Sequence, residues 1–151
     1  MKRRDLLLLA PVALLAPGHS VAATSEIWSA KDAADALVAG EITLIDVRSR
    51  DEWLETGVAE GAWPISMHEK GFQERFFAAR EMSGGKPVAL ICATGGRSGS
   101  LLRALRRAGY TEFIDVSEGM LGSRRGPGWI KGGLPVVPLD AALQNLPEAL
   151  R

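Results

Sequence analysis

Cysteine is nearly absent from this chain of 151 residues: Cys92 is its only thiol. A lone cysteine excludes an intramolecular disulfide framework. It leaves a buried structural thiol, an intermolecular bridge or a reactive sulfur. Histidine is almost as scarce, with His19 and His68 alone. An excess of charge of either sign is missing too, because 18 basic side chains balance 18 acidic ones. That balance provides no basic footprint for a nucleic acid. Low-complexity tracts and internal repeats are absent as well. What remains is ordinary globular composition, 46% hydrophobic and 24% charged, at a length that suits one domain with a real core.

The first residues, "MKRRDLLLLAPVALLAPGHSVAA", stand apart. A basic start, a short apolar stretch over residues 6–16 and small residues at Ala22 and Ala23 make the three-part layout of a secretory signal. The apolar stretch falls short of the roughly 20 residues needed to cross a bilayer, and Pro11 interrupts it. Arg3-Arg4 followed by Asp5-Leu6-Leu7 also resembles a twin-arginine export address, with Leu where that motif usually has Phe. The rival reading is an uncleaved anchor. Residues 1–23 are thus expected to be a signal peptide and 24–151 one domain, periplasmic or secreted, with no stable membrane insertion after cleavage. Removal of the signal leaves 15 basic and 17 acidic side chains and only His68. One histidine and one cysteine cannot fill a metal coordination shell, so no metal site is expected. Any Cys-His machinery would depend on His68, which reads as a solvated loop residue.

Hydrophobic periodicity organises the rest. Ser29 with Asp32, and Ser49 with Glu52, have capping-box spacing at the starts of two helices that stop at Gly40 and Gly57. "ITLIDV" (42–47), "PVALIC" (87–92) and "FIDV" (113–116) read as buried strands, and "AWPIS" as a short irregular one because of Pro64. Residues 69–82 are moderately helical. Leu101, Leu102, Leu105 and Ala108 follow helical spacing with arginines largely opposite, and Leu139, Leu143, Leu146 and Leu150 suggest a C-terminal helix. Short apolar strands alternating with helices imply an α/β fold, a mostly parallel central sheet with helices on both faces.

Ligands of such sheets bind beyond the carboxyl ends of the strands. Cys92 closes the strongest strand, and Ala93, Thr94, Gly95, Gly96 and Arg97 follow before a helix expected to start near Ser98. Two glycines let the backbone turn its amides inward. Amides that face one point form an anion nest, to which the helix start adds a partial positive charge of about 0.5. A helix start and a nearby arginine favour thiolate over thiol. The same cradle suits the terminal sulfur of a persulfide.

"CATGGRS" resembles the active-site loop of the rhodanese (sulfurtransferase) family, whose pattern is Cys-x-x-Gly-x-Arg. "LIDVRSRDEWLETG…EGA" is similar to the family's first strand and turn, "LLRALRRAGYTEFIDVSEGMLG" to its helix, strand and glycine segment, and "GWIKGGLPVV" to its C-terminal signature. The match runs over roughly residues 28–138. It implies a rhodanese-like fold without a cofactor, in which Cys92 is the persulfide-forming nucleophile. Arg97 would position an anionic donor, and Ala93, Thr94, Gly95, Gly96 and Ser98 would line the substrate cradle. The implied partners are a small anionic sulfur donor such as thiosulfate and a thiol or cyanide acceptor. Two departures stand out: Gly57-Val58-Ala59-Glu60-Gly61-Ala62 lacks the family's usual histidine, and "SRRGPG" (123–128) reads as an insertion whose Arg124 and Arg125 could recruit an anion.

Two other readings compete. Cysteine phosphatases place five residues between Cys and Arg, whereas four separate Cys92 from Arg97. The shorter loop suits a sulfur atom better than a tetrahedral phosphate. A non-catalytic binding module on the same fold is the other rival; degenerate members commonly lose the cysteine that this chain keeps.

Overall fold

Alternation along one strand explains the layering. In "PVALIC", Val88, Leu90 and Cys92 lie on one face and Ala89 and Ile91 on the other, and all five are buried. A strand buried on both sides needs strands beside it and helices above and below. The computed structural model describes residues 26–151, so the expected signal peptide lies outside the described residues. Along the chain run β1 (Ile27–Trp28), α1 (Ala30–Val38), β2 (Thr43–Asp46), α2 (Arg50–Thr56), β3 (Val58–Ala59), β4 (Trp63–Pro64) and α3 (Phe72–Met82). There follow β5 (Val88–Ile91), α4 (Gly96–Arg107), β6 (Phe113–Val116), α5 (Gly128–Lys131), β7 (Val136–Val137) and α6 (Leu139–Asn145).

Five strands form a parallel sheet in the order β1-β6-β5-β2-β4. The strand that leads to Cys92 is therefore central. It pairs with β2 from Thr43↔Val88 to Asp46↔Ile91, and with β6 from Val88↔Phe113 to Leu90↔Asp115. On one face, Leu44, Ala89, Ile91, Ile114 and Val116 pack with Ala33, Trp53 and Trp129 from α1, α2 and α5. On the other, Ile45, Val88, Leu90 and Phe113 pack with Phe76 and Ala79 of α3 and Leu102 and Leu105 of α4. Phe76 stacks on Phe113 with ring centroids 5.2 Å apart. Burying a ring of that size contributes roughly 1.5–3 kcal/mol.

Local chemistry sets the helix ends. Ser49 and Glu52 form the full reciprocal capping box of α2, and Gly57 ends it at φ 79°. Ser29 caps α1 by accepting from the Asp32 N–H at 3.0 Å. Such caps are worth about 1 kcal/mol each. The C-terminal stretch departs from the single helix its leucine spacing suggests. α6 stops at Asn145, and a 3-10 turn over Glu148–Leu150 follows. Pro147 is the cause, because the residue before a proline is driven out of the α region, and Leu146 sits at ψ 129°. The break turns the tail around the sheet, with Leu139 and Ala142 in one core and Leu146 and Leu150 in the other. Among the described residues no helix is long and apolar enough to cross a membrane.

Candidate active site

Two close backbone approaches shape the loop after β5. Gly95 adopts φ 86°, and a Cβ there would stand 2.1 Å from the Ser117 carbonyl oxygen. Gly119 adopts φ 70°, and a Cβ there would stand 2.4 Å from the Ala93 carbonyl oxygen. Glycine alone meets both demands. The segment after β6 is tied across the loop by Met120 N–H to the Cys92 carbonyl and Leu121 N–H to the Ala93 carbonyl, each 2.8 Å. The cysteine is thus held between two strand ends.

Its sulfur is buried, with the residue 1% exposed. Gly95 N–H donates to Sγ at 3.2 Å and Ser98 N–H at 3.4 Å, while the Ser98 hydroxyl lies 3.3 Å away. α4 starts two residues earlier than expected, at Gly96. The first amides of a helix have no intrahelical partner, and the Ser98 N–H finds one in the sulfur. Ser98 therefore contributes more than the sequence suggests. Ala93 and Thr94 do not donate to Sγ: Ala93 is buried, with its carbonyl accepting from the Leu121 N–H, and Thr94 is exposed at the loop rim with Gly96.

Arg97 is not a free cation. Its Nη2 donates to Glu52 Oε1 at 2.5 Å and its Nη1 to Glu52 Oε2 at 2.8 Å. The same Nη1 lies 3.1 Å from His68 Nε2. A guanidinium can only donate, so in this contact Nε2 is the acceptor. The Arg97 hydrogen bond is the leading cause that holds the Glu52 carboxyl down at about 2; the Ser49 amide and hydroxyl add to it and partial burial opposes it. Glu52 in turn raises Arg97 above its ordinary value, with a smaller contribution from the Cys92 sulfur. The capping residue of α2 thus braces the arginine of the cysteine loop. His68 does lie in an exposed loop, but one folded against Arg97.

The inserted turn is pinned by Ser123 N–H to the Gly126 carbonyl at 3.0 Å and by the Ser123 hydroxyl to the Ser117 carbonyl at 3.0 Å. Because the Ser117 carbonyl also lies against Gly95, the turn borders the cysteine loop. Arg124 and Arg125 are exposed at its tip.

Residues 29–123 match the family model for the rhodanese-like domain. The chain belongs to the rhodanese-like family. Its parallel sheet between two helical layers is that family's fold. Among solved structures, the polysulfide-sulfur transferase homodimer of Wolinella succinogenes matches with a TM-score of 0.53 and 28% identity, over 74% of this chain and 77% of that one. A Rhodopseudomonas palustris protein described as a possible tyrosine phosphatase matches with a TM-score of 0.49 and 21% identity, over 75% and 85%. An uncharacterised protein of Rickettsia conorii is 25% identical over 101 residues, 61% of this chain and 80% of the relative. The rhodanese-like domain and the sulfurtransferase likeness support a sulfurtransferase-type enzyme.

Proposed function

We propose that this rhodanese-like protein carries sulfane sulfur on Cys92, taken from an anionic donor and passed to a thiophilic acceptor. The observation that supports it best is the set of contacts on Sγ: two amides donate to it and the Ser98 hydroxyl lies beside it at a helix start, with no side-chain base touching the sulfur among the described residues. Such donors stabilise negative charge on sulfur in thiolate and persulfide alike. In the first step the Cys92 thiolate attacks the outer sulfur of thiosulfate; an S–S bond forms to the enzyme and sulfite leaves with the electron pair of the broken bond. In the second step cyanide or a thiolate takes the outer sulfur, and the Cys92 thiolate is restored. A polysulfide anion, the donor class named for the Wolinella succinogenes protein, suits the same first step.

Arg97 contributes a fixed positive field to this reaction, and Glu52 holds its guanidinium in place. Thr94 and Gly96, exposed at the rim, are where a donor first meets the loop. Incubation with thiosulfate should add one sulfur, about 32 Da, to Cys92, and cyanide should remove it. Cys92→Ser should abolish both changes. Thiocyanate production by the serine variant would rule the mechanism out. A phosphatase reading would require the wild type to hydrolyse an aryl phosphate, an activity lost in the same variant.

Export is part of the proposal, because the first 23 residues have the layout of a cleaved signal. N-terminal sequencing of the soluble periplasmic form should begin near Ala23 or Thr24. An intact Met1 recovered with the membrane fraction would sink that part.

A further inference from the structure

The turn over residues 123–128 borders the cysteine loop but takes no part in holding the sulfur. Four hydrogen bonds fix its shape. Ser123 and Gly126 exchange backbone bonds at 3.0 and 3.3 Å, Ser123 Oγ donates to the Ser117 carbonyl at 3.0 Å, and the Arg125 N–H donates to Ser123 Oγ at 3.1 Å. Beneath it, Glu118 is 8% exposed and accepts the Gly128 N–H at 3.0 Å. A Cβ on Gly126 would stand 2.5 Å from the Glu118 carboxyl, so the backbone of the turn lies directly on that side chain. The tip is held rigidly, and Arg124 and Arg125 are exposed on it.

Charge pairing sets these two arginines apart. The chain has as many acidic as basic side chains, and Arg48, Arg50, Arg75, Arg80, Arg97 and Arg106 each lie against a carboxylate. Among the described residues, Arg124 and Arg125 form no ion pair. No acidic residue occurs between Glu118 and Asp140, and Glu118 is buried. Arg103 on α4 is also exposed and without an ion pair; it donates to the Ser100 hydroxyl at 2.8 Å. Between the cysteine loop and the turn stands Leu121, tied to the Ala93 carbonyl at 2.8 Å and 44% exposed. An exposed apolar residue beside unpaired arginines has the composition of a protein-docking patch. A small anion is held instead by donors that converge on one point, whereas these arginines stand exposed on two separate elements.

We propose that this patch docks the sulfur acceptor, an acidic polypeptide that presents a thiol with carboxylates beside it. The proposal rests on Cys92 being the sulfur carrier and names the partner of the second step. Carboxylates of the partner meet Arg124 and Arg125, and its thiol reaches the rim at Thr94 and Gly96. The partner's thiolate attacks the outer sulfur of the Cys92 persulfide. A new S–S bond forms on the partner, the bond to Sγ breaks, and its electron pair stays on Cys92 as a thiolate. Arginines at the edge of such a patch act mainly by steering the encounter.

Two peptides of equal length test this, each with one cysteine, flanked in one by glutamates and in the other by lysines. Protein loaded with thiosulfate and freed of the excess should lose its extra sulfur about tenfold faster to the glutamate peptide at low salt, after correction for the thiolate fraction of each peptide. The margin should shrink as salt is added, because exposed charges are screened. In the Arg124→Glu/Arg125→Glu double variant the preference should reverse. Equal rates with the two peptides, or a preference that survives the double substitution, overturn the proposal. If the substitutions slow loading from thiosulfate and leave the peptide preference intact, the turn serves the small donor and the proposal is wrong. A wild type that takes up no sulfur would instead defeat the sulfur-transfer reading. Labelled peptides with serine in place of cysteine would then still decide the docking, since their binding to the full chain, read by fluorescence anisotropy, needs no persulfide.

Discussion

Two buried aspartates flank the strand that leads to Cys92, one on each side and on opposite faces of the sheet. Asp46 on β2 pairs with Ile91, and Asp115 on β6 pairs with Leu90. Their burial is nearly the same, but their hydrogen bonding is not. Both oxygens of Asp46 accept from Arg48, through Nε at 3.0 and 3.1 Å and Nη2 at 2.8 Å. Arg48 then spends its other donors on Thr56 Oγ1 and the Gly57 carbonyl, each at 2.8 Å, which locks the end of α2. Among the described residues, Asp115 has an orphaned oxygen and no ion pair. A closed network of that kind rigidifies the fold, whereas a buried carboxylate oxygen without a partner costs free energy. The same residue type is fully paired on one side of the cysteine strand and left with an unpaired buried oxygen on the other.

Removing one partner of each aspartate should separate these roles most strongly. Arg48→Leu leaves Asp46 as an uncompensated buried charge, and breaking such a pair costs about 3–5 kcal/mol. Denaturant unfolding should show a loss of that order. Asp115→Asn should go the other way. Burial raises the carboxyl of Asp115, so the ionised form is disfavoured in the fold. The penalty is absent at pH below the ordinary value of 3.8 and grows as pH rises through the folded value. The asparagine variant should therefore be at least as stable as wild type near neutral pH, and the two should converge in acid. A neutral-pH loss as large as that of Arg48→Leu would show that Asp115 braces the fold as Asp46 does.

The contrast also shows what the sequence could reveal. The central strands, the cysteine loop and the Ser49–Glu52 capping box were legible because each is a local pattern of apolar spacing, glycine or cap residue. Asp115 was not, because three of the four residues in "FIDV" are apolar and one charge does not change the strand reading. Its meaning depends on which residue of β5 stands beside it. The Glu52–Arg97 pair was hidden for a related reason: Glu52 already had a local role as a cap, and its partner is 45 residues away. His68 carried no signal at all, because only the fold brings its loop to Arg97. The tail break at Pro147 was local and could have been read; the leucine spacing across it suggested continuity.

The smallest expected effect concerns that half-exposed pair, which lies between the two aspartates in character. Glu52 has partners on both oxygens, as Asp46 does, but water reaches the pair, so solvent screens it. Its carboxyl sits at about 2 in the fold, well below the ordinary 4.5. A depressed carboxyl stabilises the fold fully above the ordinary value and loses that contribution as pH falls through the folded one. Glu52→Gln should therefore lower the unfolding midpoint slightly at neutral pH, and the gap to wild type should close between about pH 4.5 and 2. Thermal unfolding across that range is the measurement. A gap that persisted unchanged at pH 2 would mean that Glu52 works through its cap on α2 and not through its charge on Arg97. Sulfur transfer should respond more than stability, because Arg97 would lose the brace that fixes its guanidinium beside the cysteine loop. Glu52→Asp should not restore it, since a carboxylate one methylene shorter cannot meet both guanidinium nitrogens from the same helix position.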